Sequence, residues 1–268
     1  MSHAVIVFLI TAGLFLSMLL FLEVGRRIAV RRRKEDSEAA EAGVGAVNGA
    51  VFALLGLLIA FTFSGASSRF DTRRKLIVEE TNHVGTAYLR LDVLSVNTQP
   101  ALRESFRRYL DARIEIYRKL PDIEAAKESL AKANELQRQI WQQAVAAVGA
   151  EGALASAPVL LLPALNAMFD ITTTRTMATQ MHPPIVVFVM LFGLSLAASL
   201  LAGYGMSGTG TRRWFHMCGF ALVMAVAVYV ILDLEYPRLG LIRVDAFDQA
   251  LIDLRESMNR DIQSSGQK

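Results

Sequence analysis

Residues Gly49–Asp71 read GAVFALLGLLIAFTFSGASSRFD, and the apolar run they belong to begins at about Val44. No charged side chain occurs between Val44 and Ser68. As a helix, positions 44–64 alone are long enough to cross a hydrocarbon core of roughly 30 Å. Small residues recur along it at four and three spacing: Gly45, Gly49, Ala53, Gly56, Ala60, Ser64 and Ser67. A bulky row, Phe52, Ile59, Phe63 and Phe70, runs beside them. Small stripes let another backbone approach closely.

Outward from this stretch lie three further blocks of spanning length, at about 4–24, 184–206 and 215–234. The whole chain has 53% hydrophobic against 20% charged residues in 268 positions, and a mean hydropathy of +0.36. Such a composition argues against a soluble globular chain. Backbone groups in lipid must pair internally, and no run of short alternating segments suggests a barrel, so the spans are expected to be helices. The first block has no basic residue before it, and Glu23-Val-Gly-Arg-Arg follows it where a signal peptide would carry small cleavage-site residues. An uncleaved helix is expected there. Short connections after blocks one and three suggest two antiparallel hairpins, 1–64 and 184–234. The class is therefore an all-α membrane protein whose four transmembrane helices form two hairpins, with a helical extramembrane domain at 65–183 between them and a tail at 235–268.

The insertion has helix-forming composition and few breakers. Ser68–Leu94 follows block two without a proline, so one helix is expected to run out of the membrane. Pro100 suits a first turn, after which Leu102, Phe106, Tyr109, Ile116 and Leu120 form an apolar stripe in which Arg113 is the polar member. Asp122 after Pro121 can cap a third helix to about Val148, with Leu130, Ala133, Ile140 and Ala144 inward. A fourth is expected over Leu160–Met181, broken by His182-Pro183-Pro184. In the tail, Asp233-Leu-Glu-Tyr-Pro-Arg-Leu-Gly240 reads as a turn, followed by a short amphipathic helix through Ser257 and a disordered end from Ser264.

Several functions are disfavoured. One cysteine, Cys218, excludes an intrachain disulfide or a CxxC pair. A net charge of +3 and a pI of about 9.1 come from basic residues flanking the apolar blocks, so nucleic acid is not an expected partner. His3, His83, His182 and His216 are scattered, and no metalloprotease or triad pattern appears. Ser207–Arg213 resembles a phosphate loop but joins two spans. Asp233, Glu235 and Asp245 are conceivable calcium ligands whose spacing matches no EF-hand loop. No enzyme activity, cofactor or metal is expected. Buried acids near the midplane, which proton-driven transporters use, are missing from the blocks.

The small stripe of block two has two readings: packing inside one subunit, or packing on neighbouring copies around an axis, with Phe and Ile side chains forming a constriction. Arg69, Arg73, Arg74 and Lys75 at its exit either mark the headgroup boundary or form a basic girdle that concentrates anions at a pore mouth. The short loops carry Arg26, Arg27, Arg31–Lys34, Arg212 and Arg213, which by the positive-inside rule leans toward termini on the outside.

Gly49–Asp71, Ile77-Val-Glu-Glu80 and Gly85-Thr-Ala-Tyr-Leu-Arg-Leu-Asp92 closely resemble the bacterial "bestrophin-like" membrane family, as do Leu162-Pro-Ala-Leu-Asn166, Asp170-Ile-Thr-Thr-Thr-Arg175 and Asp233–Gly240. The resemblance covers nearly the whole chain. It implies a multi-pass protein of the bacterial inner membrane. A remoter likeness, carried by the order of hairpin, insertion and hairpin and by Arg69 and Arg74-Lys-Leu76 after the second helix, extends to the bestrophin anion channels. These are pentamers whose second helix lines the pore, supplies an apolar neck and enters a cytoplasmic helical domain. By position, the likeness implies Phe52, Ile59 and Phe63 as neck candidates and Arg69, Arg73 and Arg74 as pore-mouth candidates. It implies other copies of the chain, inorganic anions and the lipid bilayer as partners. The asparagine expected beside the neck and the acidic run of the animal calcium clasp do not occur in this sequence, so gating and selectivity are not carried over. Two functions are therefore set against each other: an anion-conducting oligomer, and a non-conducting membrane-anchored scaffold or sensor.

Overall fold

The structure, a computed structural model, describes residues 3–32, 38–206 and 214–265. Among them the regular elements are α1 (His3–Arg32), α2 (Glu38–Leu89), α3 (Gln99–Arg118), α4 (Ile123–Val148), α5 (Ala157–Gln180), α6 (Ile185–Gly205), α7 (Trp214–Glu235) and α8 (Gln249–Ser265). Short 3-10 turns occupy Arg90–Val93 and Asp245–Asp248. Four helical stretches are long and apolar enough to cross a membrane: in α1, in α2, within Ala157–Gly205 and in α7. Helix α2 runs unbroken for 52 residues, about 78 Å at helical rise. The continuation out of block two is thus present. The chain divides into two units, one of residues 1–70 and 182–242, the other of 71–181 and 243–268.

In the first unit α1 packs along α6 and α7, while α6 and α7 touch each other only briefly. This differs from the two hairpins that the loop lengths suggest. Connection length brings ends together, but side-chain size decides which backbones meet. A Cβ on Gly203 would lie 1.9 Å from the Leu22 carbonyl oxygen, and one on Gly25 would lie 2.0 Å from that of Leu200. These reciprocal glycines let α1 and α6 approach at backbone distance. Ser195 and Ser199 extend the seam at four-residue spacing from Gly203, both wholly buried. Each hydroxyl donates back to its own helix, to Leu191 O and Ser195 O at 2.7 Å, and so needs no partner across the seam. Met18, Leu22, Leu191, Ala198, Ala221 and Val228 complete the core.

The second unit is a helical bundle in which α3 packs on α4 and α8, and α4 on α5. Tyr88, Leu91, Phe106, Leu110, Leu136, Ile140, Leu165 and Met168 are buried in it, with Leu251 and Met258 of α8. The segment expected as a separate tail is therefore part of this core. Its helix reaches Ser265, beyond the expected Ser257 and into the end expected to be disordered; 266–268 lie outside the described residues. Asp122 caps α4 as expected, its carboxylate accepting from Ala125 N at 3.1 Å. Helix α5 starts at Ala157, earlier than expected, with Pro158 in its first turn.

Arg113, the polar member of the α3 stripe, is wholly buried and donates through Nε to Glu80 at 2.5 Å. Arg175 of α5 pairs with the other oxygen of Glu80 and reaches Asp248 at 3.1 Å. Its guanidinium lies 4.0 Å from the Tyr117 ring centroid. Burial by itself would raise the Glu80 carboxyl; Arg113 and Arg175 overcome it and hold the group down to about 2.

Candidate functional site: helix α2 and its exit

Besides the exposed Val47, Leu54, Leu57 and Phe61, three rows of side chains are told apart on α2 within the first unit. Leu55, Thr62 and Ala66 are buried. The small row of Gly45, Gly49, Ala53, Gly56, Ala60 and Ser64 is exposed throughout. A Cβ placed on Gly45, Gly49 or Gly56 would meet nothing within 4 Å. Of the most apolar window of α2 only 6% is buried, against 28% for α1 and 39% for α7. Packing inside the subunit therefore does not use the small row; the seam of α1 and α6 takes that part instead.

The bulky row lies between the buried and small rows. Phe52 is half-buried and meets Phe220 edge-on, with ring centroids 6.2 Å apart. Ile59 and Phe70 are half-buried against the same core. Phe63 is 46% exposed and is the outward member of the row.

Arg69, Arg73 and Arg74 at the exit each have contacts within the chain. Arg69 donates Nε to both oxygens of Glu235 at 3.1 Å, and its Nη2 pairs with the same carboxylate. Arg73 is buried and donates to the carbonyls of Ala178 at 3.1 Å and Met181 at 2.9 Å, terminating α5. Arg74 pairs with Asp71 at 3.1 Å and lies 4.3 Å above the Phe247 ring. Helix-end carbonyls and carboxylates thus hold these three guanidiniums in place.

The turn after α7 was legible in the sequence, but the partners of its two acids were not. Asp233 and Glu235 are sealed from solvent. The Asp233 carboxylate accepts from Leu241 N at 3.0 Å and Ile242 N at 2.7 Å. A Cβ on Gly240 would lie 1.9 Å from Asp233 Oδ1, so glycine is what lets the turn close on the carboxylate. Glu235 also meets His182 Nδ1 at 3.4 Å, and His182 stacks on Tyr236 with centroids 4.5 Å apart. His3 packs on Tyr236 at 4.4 Å. The signal lay in two acids at a helix C-terminus, where the macrodipole disfavours them unless something pairs them. Asp245 pairs with Arg243 at 2.5 Å, so each acid of the conceivable calcium set has a protein partner. Among the described residues no group of His, Cys, Asp and Glu is placed to hold a metal. Ser207–Arg213, the stretch that resembled a phosphate loop, lies outside the described residues, as do Arg33 and Lys34.

A family model described as a Bestrophin-like domain matches residues 12–246. Among solved structures, a single-substitution form of a bacterial Bestrophin homolog from Klebsiella pneumoniae is similar, with a TM-score of 0.63 and 15% identity over 92% of this chain and 98% of that one. A second single-substitution form of that homolog gives a TM-score of 0.64 and 14% identity over 91% and 98%. No curated protein matches the sequence.

Proposed function

Because the chain belongs to the Bestrophin-like family, we propose that it is a multi-pass protein of the bacterial plasma membrane, working as an oligomeric anion channel with α2 of each copy lining the axis. The observation that carries this reading is the small row of α2, exposed along the whole apolar window with open space at Gly45, Gly49 and Gly56. A helix that makes no close approach to its own subunit along that row has surface suited to neighbouring copies. Phe63, exposed at the edge of the row, supplies the apolar constriction. Phe52 and Ile59 back it from within the subunit. Anion preference is supported by the family and by a lining that carries no carboxylate between Val44 and Ser68. Arg69, Arg73 and Arg74 fix the helix exit and do not act as a free charged ring. Five copies are the assembly that the likeness to bestrophins implies, and native mass measurement in detergent counts them.

Planar-bilayer recording of the purified oligomer tests the function. The expected result is a current whose reversal potential follows the anion gradient and ignores the cation gradient. Well-folded oligomers that pass no current under either gradient would overturn the channel reading and favour the scaffold.

A further inference from the structure

The chain leaves the first unit at three places: after Phe70, before His182 and after Ile242. Two acids, Asp233 and Glu235, hold all three. Glu235 binds Arg69, one residue before the first crossing, and meets His182 at the second. Asp233 binds the amides of Leu241 and Ile242 at the third. We propose that Asp233 and Glu235 tie together the three segments by which the chain leaves this unit, and that His182 makes the tie proton-sensitive.

The chemistry follows from the groups that face His182. Glu235 lies beside it, and Arg69 shares that carboxylate. Tyr236 stacks on its ring, and His3 and Asp233 lie about the same turn. Imidazole is the side chain whose charge changes between about pH 5 and 8. A neutral His182 leaves the Glu235 carboxylate to Arg69. A protonated His182 adds its own positive charge to the same carboxylate and draws Oε2 toward the linker that carries His182. The linker is stiff, since Pro183 and Pro184 follow immediately. Movement of Glu235 is therefore passed to Arg69 and hence to the exit of α2.

Hydrogen exchange of the full chain in detergent tests this, compared at about pH 5.5 and 7.5 to bracket imidazole titration and corrected for intrinsic exchange. Wild type is expected to gain protection at 236–244 and 66–72 on acidification. His182→Gln and His182→Phe, the second of which keeps a ring on Tyr236, are expected to lose that gain. An equal gain in either folded variant, or none in wild type, overturns the proposal. A second readout rests on the channel reading: the pH profile of the current should flatten in both variants. Absence of current at every pH counts against the channel alone, because exchange still decides the tie.

Discussion

Glu80 and Arg113 meet through a 2.5 Å charge-assisted hydrogen bond, with side chains 0% and 1% exposed. Removing one partner of such a pair leaves an uncompensated buried charge, which costs about 3–5 kcal/mol. Glu80→Leu leaves two guanidiniums, Arg113 and Arg175, without their shared anion. Denaturation followed by the fluorescence of Trp141, which packs on Phe169 in the same bundle, should show a loss of that size. A shift within the range of surface substitutions, about 0.5 kcal/mol, would show that water replaces the carboxylate.

The same carboxyl sets an acid limit. Its value in the folded chain, about 2, lies below the ordinary 4.5, so the folded state binds this proton less readily than the unfolded state. The stabilisation is complete above about pH 4.5 and is lost as the pH falls toward 2. Melting curves of wild type and Glu80→Gln should converge through that window. Parallel curves would assign the acid transition to other groups.

Two glycine substitutions should separate packing within a subunit from packing between copies. Gly203→Ala drives a methyl into the Leu22 carbonyl and should lower the melting temperature of the detergent-solubilised monomer. Gly56→Leu meets open space within the chain, so the monomer should fold as wild type while native mass shows loss of the oligomer. An intact oligomer carrying Gly56→Leu would move the contact between copies off this row.

Arg73 closes the end of α5 by donating to Ala178 O and Met181 O. Replacement by Met keeps the stem and removes the donors, and should cost about 2 kcal/mol, as charged hydrogen bonds do. Faster amide exchange confined to the last turn of α5 is the expected signature. If Arg73 were instead a free pore-mouth charge, conductance would change with exchange unaltered.

Met258 is wholly buried where α8 joins the bundle. Met258→Ala should destabilise the second unit by about 2–5 kcal/mol, the range for a buried large-to-small change. Removal of residues 249–268 should expose the same surface and lower solubility. A truncated chain as stable as the full one would make α8 an accessory.

The sequence was most legible where a local rule decides the outcome. The unbroken run from block two into the second unit, the Asp122 cap and the proline that opens α3 all follow from propensity and capping, and all are present. Arg113 stood out as the polar member of an apolar stripe, but the stripe could not name Glu80, which lies 33 positions away. Pairings of this kind depend on which helix faces meet. The same holds for the helix partners: two small rows occur, one in α2 and one in α6, and spacing alone does not say which is used inside the subunit. The fates of Arg69 and Arg73 were hidden likewise, because their acceptors lie 105 or more positions away, whereas Arg74 pairs with Asp71 only three positions before it. The candidate site was thus readable as a helix face, while its chemistry at the exit was not.

The outward row of α2 consists of glycine, alanine and serine. Glycine and alanine side chains have no rotamers to freeze, and the backbone beneath them is already helical. Covering this face therefore removes almost no conformational freedom, unlike covering a face of leucine or methionine. A neighbouring helix laid on that row would therefore meet little entropic opposition.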